Sequence, residues 1–141
     1  SYLAIVYGSP SRDEGLISLK IGRDMNNRIK ISRNSKTLRI AETKWKKKET
    51  FQNYSLIEAF PLTGRTHQIR VHLESIGHPI VGDKVYGKNF KANMNPLLKS
   101  LTKRHFLHAN SIEFIHPRSG KLIKIHSKTP EDFLLFLEAI K

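Results

Sequence analysis

Along this chain apolar residues alternate with polar ones more often than they recur at helical spacing, so strands dominate the expected fold. Residues 2–7 (YLAIVY) are β-branched and aromatic, and Gly8-Ser9-Pro10 stops them, a strand running into a turn. Residues 16–21 alternate well enough for a second strand. Residues 41–45 and 53–60 predict two more, the latter ended by Pro61. Thr63-Gly64-Arg65-Thr66 is turn chemistry. After it Ile69, His72 or Leu73, and Ile76 fall at helical spacing, with Thr66 placed to cap the helix and Gly77 to end it. Residues 79–83 read as irregular, and a short helix is expected over 96–104 with Pro96 at its first position. Residues 107–115 and 122–126 flank His116-Pro117-Arg118-Ser119-Gly120, the pattern of a hairpin with a loop of several residues. Thr129-Pro130-Glu131-Asp132 opens a last helix with a hydroxyl cap, a first-turn proline and acids facing the helix dipole. Phe133, Leu134, Leu137 and Ile140 give it one apolar face. No repeat, low-complexity tract or linker interrupts the pattern. It predicts a single α+β domain over 1–141, mostly antiparallel or mixed β-sheet with a few helices.

Charge changes the picture next. The 141 residues carry 25 Lys and Arg against 12 Asp and Glu, formally +13. Such self-repulsion makes sense with a polyanionic partner, nucleic acid first and an anionic membrane surface second. From Lys20 to Lys48 eleven basic residues face only Asp24 and Glu42, a net +9 in 29 residues. Ile21, Ile29, Ile31, Leu38 and Ile40 interleave them, with a period of two around Arg28-Ile29-Lys30-Ile31. The expected arrangement is a ribbon with isoleucines on one side and Arg28, Lys30 and Arg33 on the other, lying along a phosphate backbone together with Lys46 and Lys47. The alternative is a solvated edge whose lysines discourage strand-to-strand aggregation. The absence of cysteine excludes disulfides, thiolate zinc sites and cysteine nucleophiles. No apolar run approaches the ~20 residues of a membrane span. The first ten residues lack the basic start and long apolar stretch of a secretion signal, and a cytoplasmic location is expected. The chain enters a strand directly after Ser1, as a piece of a longer protein would.

Seven histidines raise the question of a metal, but their spacing argues against one. His67 and His72 are five apart rather than four, and His105 and His108 have no Asp or Glu close by in sequence. Neither a G-x-S-x-G elbow nor a glycine-rich phosphate loop occurs. What stands out is residues 62–73, LTGRTHQIRVHL, followed by 77–87, GHPIVGDKVYG. Arg65 and the free amides near it suit an anion. Arg70 sits one turn further in, beside apolar residues, where an arginine needs a carboxylate or must snorkel to water. No acidic residue of the chain is an obvious partner from sequence.

These two segments closely resemble the signature of the RluA-type pseudouridine synthases, which isomerise uridines in ribosomal and transfer RNA. Residues 1–8, SYLAIVYG, are similar to that family's K-x-Y-x-A-x-V-x-G strand without its leading lysine. Ala41-Glu42-Thr43, Tyr54-Ser55-Leu56, Leu107-His108-Ala109, and His116-Pro117 through Pro130-Glu131-Asp132-Phe133 resemble its other segments, in order. The resemblance implies that Tyr2 is the active-site tyrosine, packing on the target base and helping to remove its C5 proton. It implies that Arg70 pairs with the catalytic aspartate, that Arg65 and His67 line the site or the RNA path, and that Ile69 and Leu73 are core. Asp83 would be structural. RNA is the implied partner, and neither metal nor organic cofactor is needed. One departure matters: the family's catalytic aspartate lies in an H-R-L-D motif ahead of the tyrosine strand, and this chain has none. Its aspartates, Asp13, Asp24, Asp83 and Asp132, do not match that residue; Asp132 reads as a helix cap. The chain is therefore expected to be the C-terminal part of such a catalytic domain, inactive alone, with open sheet edges that leave it marginal or self-associating. The alternative is a non-catalytic RNA-binding module on the same fold. A basic domain for a protein or membrane would want an amphipathic basic helix, and the sequence offers none.

Overall fold

A computed structural model describes residues 1–141, the side chain of Ala92 excepted. In chain order the elements are β1 (Tyr2–Tyr7), β2 (Glu14–Ser18), β3 (Gly22–Arg23), β4 (Ile31–Ser32), β5 (Glu42–Thr50) and β6 (Tyr54–Pro61). There follow α1 (Gln68–Ser75), α2 (Pro96–Leu101), β7 (Leu107–Ala109), β8 (Ser111–Ile115), β9 (Leu122–His126) and α3 (Glu131–Ala139). Five strands make one antiparallel sheet in the order β2-β5-β6-β1-β7, while β3–β4 and β8–β9 are separate two-stranded ribbons. The α+β architecture expected from the hydrophobic pattern is present.

The side chains of β1 alternate between two cores, as a period of two requires. Ala4 and Val6 pack with Ile57, Ala59 and Trp45 beneath Ile69 and Leu73 of α1. Ile5 and Tyr7 turn the other way, against Tyr54, Phe106 and the Phe133 and Phe136 rings of α3. The sheet is thus covered on both faces, and Tyr2 is left half-buried at the open end of β1.

Several expectations change in detail. The strand expected over 41–45 runs on through the lysines to Thr50, with Thr43 and Trp45 pointing inward while Lys44 and Lys46 alternate outward. Residues 107–115 break at Asn110: β7 stays in the main sheet, while β8 leaves it to pair with β9. The basic ribbon has only two-residue strands. Its turn is wound around Asp24, whose Oδ1 accepts the amides of Asn26 and Asn27 at 2.8 and 2.9 Å, so strict alternation fails. Ile21 and Ile31 are buried, but Ile29, Leu38 and Ile40 face solvent. In α3 the buried residues are Phe133 and Phe136, and Leu134 is exposed. Pro130, not Thr129, holds the cap position. Asp132 is an ion-pair partner rather than a cap, because Arg104 takes its carboxylate through Nε and Nη2 at 2.7 and 2.9 Å. On β8–β9, Ile112, Phe114 and Ile125 share one face and are all exposed. Among the described residues no helix is long and apolar enough to cross a membrane.

Candidate active site

The turn before α1 is stapled to the start of β5 by one side chain. Gln68 Oε1 accepts from Thr63 Oγ1 at 2.7 Å and from the Arg65 amide at 3.0 Å. Its Nε2 donates to the Glu42 carbonyl at 2.9 Å and to Thr43 Oγ1 at 3.0 Å. Thr63 Oγ1 also accepts the Glu42 amide at 3.0 Å. With the turn fixed this way, α1 starts at Gln68 and His67 takes the cap position, where Thr66 was expected. His67 has φ 55°, the one non-glycine residue with positive φ among those described. A left-handed residue with a Cβ is strained, and it persists where its surroundings over-determine it.

Tyr86 supplies that constraint. Its hydroxyl accepts the Ile31 amide at 2.8 Å and lies 2.9 Å from His67 Nδ1. With the Ile31 amide already donating to this oxygen, we assign the phenol proton to the bond with His67 Nδ1 and the imidazole proton to Nε2. Burial, with the Arg70 charge behind it, pushes the His67 pKa below its ordinary value and favours this neutral form.

Arg70 has a carboxylate partner within the chain, where the sequence offered no obvious one. Its Nε donates to Asp83 Oδ2 at 2.6 Å and its Nη2 to Asp83 Oδ1 at 3.0 Å, a bidentate pair. Asp83 is fully buried and Oδ1 also accepts the amides of Val85 and Tyr86 at 2.9 and 3.0 Å. Burial would raise this carboxyl, but Arg70 and the two amides outweigh it and hold it below the usual carboxylate range. The guanidinium lies 5.1 Å from the centre of the Tyr86 ring. Thirteen residues separate the pair. The chain doubles back between them through Gly77 and Gly82, whose φ values of 82° and 83° suit glycine alone.

Tyr2, Arg65, His67 and Arg70 converge on one cleft of about 390 Å³, together with His105 and Leu107. Sequence spacing brought His105 forward only as a rejected metal ligand. Its place two residues before β7 sets it beside the site, and burial, followed by the Arg70 charge, lowers its pKa. His72, in contrast, is core: Nδ1 meets Thr43 Oγ1 at 2.8 Å and Nε2 meets the Leu19 carbonyl at 3.0 Å. Among the described residues no three potential metal ligands cluster.

The expected RNA contacts do not all gather here. Arg28 sits exposed in the ribbon turn, and Lys30 and Arg33 line a separate groove of about 660 Å³ between β2, the ribbon and the end of α1. Lys46 and Lys47 lie away from the cleft on β5. Lys46 stands opposite Glu14 and Glu58 in the sheet register. Lys47 Nζ is engaged by Asp13 Oδ1 at 3.2 Å and the Pro10 carbonyl at 2.9 Å.

Comparison with known proteins is consistent over the chain. A family model described as RNA pseudouridylate synthase matches residues 1–75. The ribosomal large subunit pseudouridine synthase D of Zymomonas mobilis is 41% identical over 141 residues, a match covering 99% of this chain and 44% of that protein. The uncharacterized RNA pseudouridine synthase YlyB of Bacillus subtilis is 37% identical over 142 residues, covering 99% and 43%. The solved structure of human RNA pseudouridylate synthase domain containing 1 superposes with a TM-score of 0.77 at 28% identity, covering 99% of this chain and 57% of that one. The chain spans less than half the length of the curated relatives it matches.

Proposed function

The chain belongs to the RNA pseudouridylate synthase family, and on that premise we propose that it forms the part of the catalytic domain that holds the target uridine and the RNA around it. The substrate is ribosomal or transfer RNA in the cytoplasm; the names of the large-subunit relatives favour ribosomal RNA. The carrying observation is the convergence of Tyr2, Arg65, His67 and Arg70 on one cleft. An enzyme acting on a base takes it out of the stack, and a cleft of this size accepts a single flipped uracil. The Tyr2 ring packs against the base and its hydroxyl helps to remove the C5 proton after the glycosidic C–N bond breaks, the base turns over and C5 bonds to C1′. His67 Nε2–H and Arg65 offer donors to the base carbonyls or the adjoining backbone. Arg70 is oriented in advance by Asp83, and its Nη1 edge is left for the catalytic carboxylate.

That carboxylate comes from outside these 141 residues. Asp83 is the aspartate beside the cleft, and both its oxygens are taken by Arg70 and two backbone amides. The chain alone is then inactive although it binds RNA. The second reading, a non-catalytic RNA-binding module, draws on the same engaged carboxylate. Tritium release from RNA labelled at uridine C5 separates them. The chain alone should release none, and adding a separately produced N-terminal segment of a relative that carries H-R-L-D should restore release. Failure to restore it, with both pieces folded and associated, favours the binding module. Release by the chain alone would overturn the split-site reading and make Asp83 the first residue to change.

A further inference from the structure

A second cavity, of about 330 Å³, lies beside the cleft, and three arginines line it: Arg23 of β3, Arg39, and Arg65 of the turn before α1. The hydroxyl-bearing Thr37 and Thr66 share its wall. We propose that this cavity is a binding site for an RNA phosphate, the one adjoining the nucleotide held in the cleft. The adjoining-nucleotide part rests on the function proposed above; the anion site itself does not.

The cavity is built for an anion. No carboxylate lines it, and none of the ion pairs among the described residues involves Arg23, Arg39 or Arg65. Asp24 is the nearest acid in sequence, yet it is turned into the ribbon. Its Oδ1 takes two backbone amides and its Oδ2 accepts Ser32 Oγ at 2.5 Å. Three cations around one cavity repel each other until a counter-charge enters, and the planar guanidinium fork matches phosphate oxygens.

Two of the three arginines are also oriented from behind. Arg23 Nη1 donates to the Arg28 carbonyl, and Arg65 Nε donates to the Ile40 carbonyl at 3.2 Å. Arg39 is fixed through its backbone, which exchanges amide hydrogen bonds of 2.9 and 3.1 Å with Ile21. Gly22 makes that approach possible: a Cβ there would sit 2.4 Å from Ser35 Oγ and 2.5 Å from the Thr37 carbonyl oxygen. Groups held in place before the ligand arrives lose little freedom when it binds.

Position ties this cavity to the cleft. Arg65 lines both cavities, and the next two residues divide between them, Thr66 on the phosphate side and His67 on the cleft side. A nucleotide whose base enters the cleft therefore brings its own backbone to the three arginines.

The test uses the full 141-residue chain in two measurements. A uridine-containing RNA is titrated by fluorescence anisotropy across a salt series against wild type, Arg23→Gln, Arg39→Gln and the control Arg118→Gln in the β8–β9 loop. Loss of one phosphate contact should weaken binding about tenfold and flatten the log–log salt slope by about 0.7–0.9 in the first two variants but not in the control. Separately, inorganic phosphate should shift the side-chain Nε–H NMR signals of Arg23, Arg39 and Arg65 in wild type, and Arg39→Lys should retain part of the effect. Signals shifted by phosphate in a chain that fails to bind RNA would keep the anion site and remove the function proposed above. RNA binding with unchanged slopes in both variants, and no phosphate-induced shifts, would overturn the site and leave that function standing.

Discussion

Replacing Asp83 by Asn removes the charge that holds Arg70 while keeping the shape of the side chain. The carboxylate accepts four hydrogen bonds, two from Arg70 at 2.6 and 3.0 Å and two from the Val85 and Tyr86 amides at 2.9 and 3.0 Å. An amide has one accepting oxygen. If that oxygen keeps the backbone amides, Nδ2 faces the Arg70 Nε–H, donor against donor. If the amide flips, two backbone N–H groups lose their acceptor. In both arrangements Arg70, whose side chain is 15% exposed, loses its counter-charge. Breaking a buried pair from one side costs about 3–5 kcal/mol. Arg70 retains some water and the Tyr86 ring, so the lower end, about 3 kcal/mol, is expected. With an unfolding entropy of roughly 0.3 kcal/mol/K for a chain of this length, that lowers Tm by about 10 °C. Thermal melts by circular dichroism should compare Asp83→Asn, Arg70→Met and the double variant. Once the cation is gone, the Asn has less to oppose, so the double variant should be more stable than the sum of the singles by about 2 kcal/mol. A loss under about 1 kcal/mol for Asp83→Asn, or strictly additive singles, would refute the reasoning. The sign with pH is fixed as well. Because the folded carboxyl titrates below its unfolded value, its contribution is present above about pH 4 and disappears as pH falls through the lowered folded value.

Tyr86→Phe keeps the ring under Arg70 but leaves the Ile31 amide without its acceptor, costing about 1–3 kcal/mol; nitrogen NMR of His67 should lose its preference for the Nε2–H tautomer, and an unchanged tautomer would break the assignment. Gly82→Ala and Gly120→Ala both place a Cβ at positive φ, yet at Gly82 it would lie 2.1 Å from the Arg104 carbonyl oxygen while at Gly120 nothing lies within 4 Å. Gly120→Ala should cost about 1 kcal/mol and Gly82→Ala at least twice that, with equal melting temperatures as the contrary result. Burial lowers the pKa of His67, His72 and His105, so the unfolded chain binds more protons as pH drops below about 6.5 and stability should fall; a flat Tm between about pH 7.5 and 5 would contradict this. The exposed Ile112, Phe114 and Ile125 face should make the chain self-associate, to be read by sedimentation at several concentrations, and a sharp unfolding transition at high temperature that ignores concentration would count against it.

Elements whose signal was local were legible in the sequence. Residues 2–7 are a strand because β-branched and aromatic residues dominate them, and the Pro96 helix starts where proline allows, with Asn95 Oδ1 accepting the Leu98 amide at 2.8 Å. What escaped was set by distant partners. Gln68 is an unremarkable helix residue until its amide reaches Glu42 and Thr43, and that reach moves the helix start by one position. Asp83 read as structural without a partner, because nothing local shows that Arg70 will fold back onto it. Alternation around Arg28 promised a regular ribbon, but an aspartate that caps its own turn can overrule alternation within a few residues. Phe136 was overlooked beside Leu134 because residues 133–137 are apolar throughout and fit more than one helical face, and only packing against Phe106 and Tyr54 chooses between them.

The candidate site and the basic ribbon form one mechanical unit, and Tyr86 is the reason. Its backbone amide holds Asp83, its ring carries Arg70, and its hydroxyl joins the Ile31 amide of the ribbon to His67 in the cleft. On the proposed function, a ribbon drawn toward a phosphate backbone would act on Tyr86, whose hydroxyl also meets His67. On the same reading, a base contacting His67 Nε2 would bear on the anchor of β4. The short path from Ile31 through Tyr86 to His67 would, on the proposed function, give RNA held on the ribbon a physical route to align the donor that meets the base.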